Sequence, residues 1–175
     1  MNNLITVENS KEVQSIINDI MTIYTTMMDT KQLSKMGYVN HDKFQHYLTF
    51  LAEKYNLSYE TEYNGKLFYD KFKQKTYSGR IDIVYYKNGK PYISLEIDSG
   101  LKGTSIKKLI HNHEFPYKLW FCYNKKANTK DYFDLIHKID ENRDVIYLTP
   151  SITKYPPKLK KATNIKEYFD NVGIS

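Results

Sequence analysis

Residues 80–98 constrain this chain more than any other stretch. Arg80-Ile81-Asp82-Ile83-Val84-Tyr85-Tyr86 leads through Lys87-Asn88-Gly89-Lys90 into Pro91-Tyr92-Ile93-Ser94-Leu95-Glu96-Ile97-Asp98. Ile81, Ile83 and Tyr85 are apolar, as are Ile93, Leu95 and Ile97, whereas Arg80, Asp82, Ser94, Glu96 and Asp98 are polar and mostly charged. Strand side chains alternate between faces, so the pattern predicts a β-hairpin with one face for a core. The other face carries acids where neutral polar residues are usual.

The connection decides how those acids meet. A two-residue turn at Asn88-Gly89, with both residues at φ > 0, sets Asp82 opposite Leu95 and mixes apolar with charged side chains. A one-residue slip reverses every side chain, which counts against that register. A three-residue loop, Lys87-Asn88-Gly89, with Gly89 left-handed in a bulge, sets Asp82 opposite Ser94. Glu96 then becomes a same-face diagonal neighbour about 7–8 Å away, close enough to share one divalent ion with Asp82. The three-residue loop is the expected one.

With 175 residues, 41% of them apolar and 15% aromatic, the chain has enough material for one domain with a real core. The net charge of +6 and a pI near 9.1 favour a polyanionic partner. The single cysteine, Cys122, lies in an apolar run and suits a buried thiol in a reducing compartment. The first residues lack the basic head and apolar core of a signal sequence, and no stretch approaches the ~20 apolar residues of a membrane span. The expectation is a soluble, cytoplasmic protein that does not engage membranes.

Helical spacing of Val13, Ile16, Ile17, Ile20, Ile23 and Tyr24 predicts a helix over 9–29, capped by Asn9 or Ser10. A second helix, about 41–54, uses Phe44, Tyr47, Leu48 and Leu51. Residues 57–63 alternate as a strand, and 66–79, rich in lysine and aromatics, resist assignment. After the acidic hairpin come a helix capped by Thr104 or Ser105 and ending near His111, a strand at 118–123, a helix at 131–140, a strand at 144–148 and a last helix at 164–171. This order predicts an α/β fold with a central mixed β-sheet flanked by helices. The reading is one domain over 1–175: a core at about 41–150, an N-terminal helix at 9–29 and a basic C-terminal extension at 151–175.

Asp82, a turn, Glu96-x-Asp98 and a helix bearing Ser105-Ile106-Lys107-Lys108-Leu109 together resemble the PD-(D/E)XK nuclease superfamily. The resemblance spans about residues 41–123. It implies a restriction-endonuclease-like core and a metal-dependent endonuclease that hydrolyses phosphodiester bonds in DNA with Mg²⁺ or Mn²⁺. It also implies Asp82 and Glu96 as metal ligands, helped by the Ile97 carbonyl, and an acid from the leading helix, for which Glu53 is the choice; Glu60 and Glu62 are the alternatives. The family's catalytic lysine would stand at Asp98. An acid there cannot supply that charge, though it could bind a second metal or orient water. The resemblance allows the lysine to come from the next helix, so Lys108 is preferred, then Lys107, with Lys102 as a loop candidate.

The chemistry has its own logic. A divalent ion stabilises charge at phosphorus and lowers the pKa of bound water far below about 15.7, and Mg²⁺ suits one or two carboxylates plus waters. Repulsion among Asp82, Glu96 and Asp98 makes the cluster costly unless it binds something. The plain alternatives are solvated acids on a hairpin face and lysines on an exposed helix face. His111 and His113 lack further ligands at zinc spacing. Lys66–Tyr77 and the basic run 154–161 suit either phosphate contacts or ordinary surface. The alternative function is a catalytically inactive module of the same fold that binds nucleic acid or protein. An RNA-directed nuclease and a homodimer stay open.

Overall fold

The computed structural model describes residues 11–29, 41–71, 73–123 and 130–150. The expected helix at 164–171, the basic run 154–161 and the caps Asn9 and Ser10 lie outside these. The described residues fall into two compact units, one of 11–29 with 41–56 and the other of 57–71, 73–123 and 130–150. Among the described residues no helix is long and apolar enough to cross a membrane.

In the first unit, α1 (Lys11–Asp29) and α2 (His41–Lys54) form where the 3.6-residue spacing predicts. Val13, Ile16, Ile17, Ile20 and Ile23 are buried, and α2 buries Phe44, Leu48, Leu51 and Ala52. Tyr24 meets Phe44 edge-on at 5.9 Å. Asp19 ties the helices together, 2.8 Å from Lys54 Nζ and accepting a 2.7 Å hydrogen bond from Tyr55 Oη.

The second unit is a mixed α/β layer. Its elements are β1 (Ser58–Asn64), β2 (Phe68–Asp70), β3 (Lys75–Tyr77), β4 (Arg80–Lys87), β5 (Lys90–Asp98), α3 (Gly103–His111), β6 (Tyr117–Cys122), α4 (Lys130–Ile139) and β7 (Val145–Leu148). The main sheet has the order β1-β4-β5-β6-β7. The β1–β4 and β4–β5 pairs are antiparallel, and β5–β6 and β6–β7 are parallel. Parallel neighbours need crossovers, which α3 and α4 supply. Ile106 and Leu109 of α3 and Ile136 of α4 pack in one cluster with Val84, Trp120, Cys122 and Val145. Burying side chains of this size contributes about 1.5–3 kcal/mol each.

The three-residue loop does not form. Lys87 pairs with Lys90, leaving the two-residue turn Asn88-Gly89 with φ of 53° and 72°. This turn matches the right-handed twist of the strands. The register then shifts between Tyr85, opposite Ile93, and Tyr86, opposite Pro91, so Tyr92 is an extra residue in β5. The bulge restores the parity that the turn alone would break, and the ladder beyond runs Val84–Ser94, Ile83–Leu95. Continued one step past the last pair, this register sets Asp82 opposite Glu96 rather than diagonal to it.

Two other expectations are adjusted. Residues 66–79 include a separate two-stranded hairpin of β2 and β3. Helix α3 starts at Gly103 with Lys102 in the cap position and no side-chain cap, and Ser105 is buried within the first turn.

Candidate active site

Asp82 falls at a gap in one of its ladders and just past the end of the other. On the β1 side the pairing runs Thr61–Ile83 and then Tyr63–Ile81, skipping Glu62, whose φ is 53°. A left-handed conformation inside a strand is unusual for glutamate. Glu62 Oε2 stands 3.8 Å from Arg80 Nη1. On the β5 side the amide N–H of Ile97 donates to Asp82 Oδ2 at 2.7 Å. Ile97 is thus joined to the site through its N–H, which holds the Asp82 carboxylate at the end of the hairpin.

Glu96 and Asp98 follow on the same face of β5 and are only 2% and 3% exposed. This excludes the solvated-face alternative for both. The crossover places α3 over the acidic face, because a strand followed by a parallel partner is covered on both sides. Buried charge is costly unless paired. Each acid has a lysine. Lys108 Nζ stands 2.6 Å from Glu96 Oε1, and Lys102 Nζ stands 2.8 Å from Asp98 Oδ1.

These two pairs differ in kind. Asp98 has a partner on each oxygen, since Trp120 Nε1 donates to Oδ2 at 2.8 Å. Glu96 Oε1 is buried against the Lys108 ammonium. Burial, and then the negative charge of Asp82, push the Glu96 carboxyl up from 4.5 to about 8, while Lys108 pulls against them.

Lys108 reaches Glu96 because Leu109 beside it packs into the core and the backbone beneath its stem is bare. A Cβ at Gly79 would fall 1.9 Å from Lys108 Cδ and 2.5 Å from Cγ. The ammonium is further fixed by donating to the Arg80 carbonyl at 2.6 Å. Lys107, the neighbouring candidate, turns away and pairs with buried Asp70 at 2.7 Å. Lys102 serves Asp98 rather than Glu96. Glu60 and Glu62 are exposed on β1, and Glu53 is exposed on α2 of the helical unit.

Among the described residues, no group of three or more His, Cys, Asp and Glu side chains could hold a metal. The carboxylates of Asp82 and Glu96 form a smaller donor set, coupled through their charges. Two hard oxygen donors on one face fit Mg²⁺, which keeps several waters and needs only one or two protein carboxylates. His111 instead stacks on Phe68, with ring centroids 5.0 Å apart.

No family model, curated protein or solved structure matches this chain.

Several residues of the site carry no motif. Trp120 is separated from Asp98 by 22 positions, and only the parallel pairing of β5 with β6 brings them together. Gly79 gave one local signal, a glycine directly before the acidic strand. Asn112, fully buried, accepts from the Lys66 amide at 3.0 Å and donates to the Lys108 carbonyl at 2.7 Å, tying the end of α3 to the segment after β1.

Proposed function

We propose that this chain is an Mg²⁺- or Mn²⁺-dependent endonuclease that hydrolyses phosphodiester bonds in DNA, built on the PD-(D/E)XK plan. The observation that carries the reading is the Lys108 ammonium 2.6 Å from Glu96 Oε1. A lysine from α3 thereby supplies the charge that Asp98 cannot. The mixed order of the sheet, with Asp82 and Glu96 across from one another on adjacent antiparallel strands, agrees with it.

Asp82 and Glu96 would hold the ion, and the bound ion would acidify a water and neutralise charge on the phosphate. The Ile97 N–H orients the Asp82 carboxylate by holding Oδ2. Lys108, steadied by the Arg80 carbonyl, offsets negative charge that grows as the phosphorus becomes pentacoordinate. Asp98 acts as a brace in this scheme, holding Lys102 and the Trp120 indole with its two oxygens. Lys107 is assigned to Asp70 and takes no part in the chemistry. The basic balance of the chain suits a polyanionic substrate.

Incubation with plasmid DNA and Mg²⁺ or Mn²⁺ tests the proposal. The wild type nicks or linearises the plasmid, Asp82→Asn and Glu96→Gln do not, and calorimetry finds a divalent-ion site only in the wild type. Cutting that survives in both variants overturns it. Salt-sensitive DNA binding with no cutting and no ion site instead assigns the inactive binding module.

A further inference from the structure

The β2–β3 hairpin is displayed rather than loosely attached. Its inward residues are anchored on α3: Phe68 stacks on His111, and Asp70, only 4% exposed, pairs with Lys107. Phe68 also stacks on Tyr77 across the hairpin, 5.6 Å between centroids. With Phe68 and Asp70 turned in, Leu67 and Tyr69 are left 69% and 57% exposed. A single exposed apolar residue needs no explanation, but two at alternate positions on a firmly anchored hairpin form a platform.

The surroundings of that platform are cationic. Lys71, Lys73 and Lys75 are exposed around the tip, and among the described residues none of the three forms an ion pair. Beside the tip lies a cavity of about 310 Å³ whose lining includes Lys73, Lys102, Lys107, Thr104 and Asp70. Lys102 also touches Asp98, two residues along the same face from Glu96. Lysines therefore mark the way from the hairpin tip, through the cavity, to the carboxylates, with Lys107 and Lys102 paired along it to Asp70 and Asp98.

We infer that the β2–β3 hairpin grips a single polynucleotide strand, with bases stacking on Tyr69 and Leu67 and phosphates following Lys71 and Lys73 into the cavity. The chemistry of the surface selects this partner. Aromatic faces stack any unpaired base, and lysines neutralise the backbone, whereas the stacked bases of a duplex offer no free face to Tyr69. The direction of the track, though not the grip, rests on the nuclease reading of the carboxylates.

The grip is measured by fluorescence anisotropy with the full-length Glu96→Gln protein, so that binding is read without cutting. The probes are labelled DNA and RNA single strands of about 20 nucleotides, longer than common single-strand sites, and a blunt duplex of equal length. At least one single strand binds about tenfold tighter than the duplex at equal salt. Tyr69→Ala weakens strand binding about tenfold and Tyr69→Phe restores it. Lys71→Gln with Lys73→Gln lowers the slope of log affinity against log salt by about 1.4, about 0.7 for each contact. Circular dichroism confirms that these surface variants are folded. Duplex binding as tight as strand binding, or strand affinity indifferent to Tyr69→Ala, overturns the inference. A strand grip without plasmid cutting by the wild type counts against the nuclease reading alone; cutting without the grip counts against this inference alone.

Discussion

Two buried carboxylates in one α/β layer have been given opposite surroundings. Asp140, at the corner between α4 and β7, is 1% exposed. It accepts from the amides of Asp144 and Val145 at 2.9 and 3.0 Å and from Tyr147 Oη at 2.8 Å. Three oriented dipoles spread its charge, and no second carboxylate is needed nearby for the corner to form. Glu96, beneath α3, is equally buried but faces another acid and a lysine. Neutral donors around a carboxylate complete a fold. Charge placed beside like charge leaves a demand that a cation can meet, and the proposed ion site rests on that contrast.

The strongest way to break the comparison is to remove each acid. Asp140→Ala orphans two amides and a hydroxyl and should cost about 3 kcal/mol or more, read as a lower urea midpoint. Plasmid cutting by the fraction still folded should be unchanged. Glu96→Gln should reverse the pattern, lowering cutting on the order of 10³-fold while the urea midpoint at neutral pH holds or rises. If Glu96→Gln unfolds the chain as severely as Asp140→Ala does, Glu96 is another structural acid.

The pH dependence sharpens the same contrast. The Glu96 carboxyl is raised from 4.5 to about 8 in the folded chain, so between those values the folded state holds a proton that the unfolded state has released. Its contribution to stability is complete below about 4.5 and is lost as pH rises through about 8. The wild-type urea midpoint should therefore fall over this window more than that of Glu96→Gln. Mg²⁺ should restore more stability at the upper end than at the lower, because it binds the deprotonated pair. Equal slopes in the two proteins remove the case for Glu96 as a strained group.

A smaller effect is expected at Gly79, where the change touches neither acid. Gly79→Ala places a methyl group 1.9 Å from Lys108 Cδ, so the lysine stem must leave its path. Cutting should fall about tenfold, with more than about 1 kcal/mol of stability lost, since atoms near the root of the stem must move and buried Glu96 loses its lysine. Asn88→Gly is the matched control: it changes a turn residue at φ 53° on the far end of the hairpin and should leave cutting alone.

How far the sequence shows this contrast depends on the distance over which each interaction acts. The alternation of 80–98 exposes the two faces because strand periodicity is local. The helices at Lys11–Asp29 and His41–Lys54 are legible for the same reason. The turn differs from the expected three-residue loop because parity can be kept in two ways, and nothing in Pro91-Tyr92 announces that Tyr92 is the extra residue. Strands β2 and β3 hold three residues each, too few for a period to emerge. The preference for Lys108 over Lys107 follows from Leu109 beside it, but the partner of Lys107 lies 37 positions away at Asp70. Asp140 reads in the sequence as the end of a helix, although its donors lie only four, five and seven positions on. That bracket was readable in principle, since an acid ending a helix shortly before a strand is placed to cap the turn between them.

The smallest effect tests whether the Asp140 corner is as satisfied as its geometry says. Burial and the bond to Asp140 raise the Tyr147 hydroxyl above its ordinary range, so the phenol remains a donor across the working pH range. Tyr147→Phe deletes one donor of three and keeps the ring, which meets Trp120 edge-on at 5.8 Å. The remaining amides still hold the carboxylate, so the loss should be about 1 kcal/mol, the net worth of one hydrogen bond. A loss several times larger would mean that Asp140 too lacks sufficient donors without its phenol. The distinction from Glu96 would then be one of degree. A loss near that of a single bond leaves Glu96 as the carboxylate whose surroundings call for a cation.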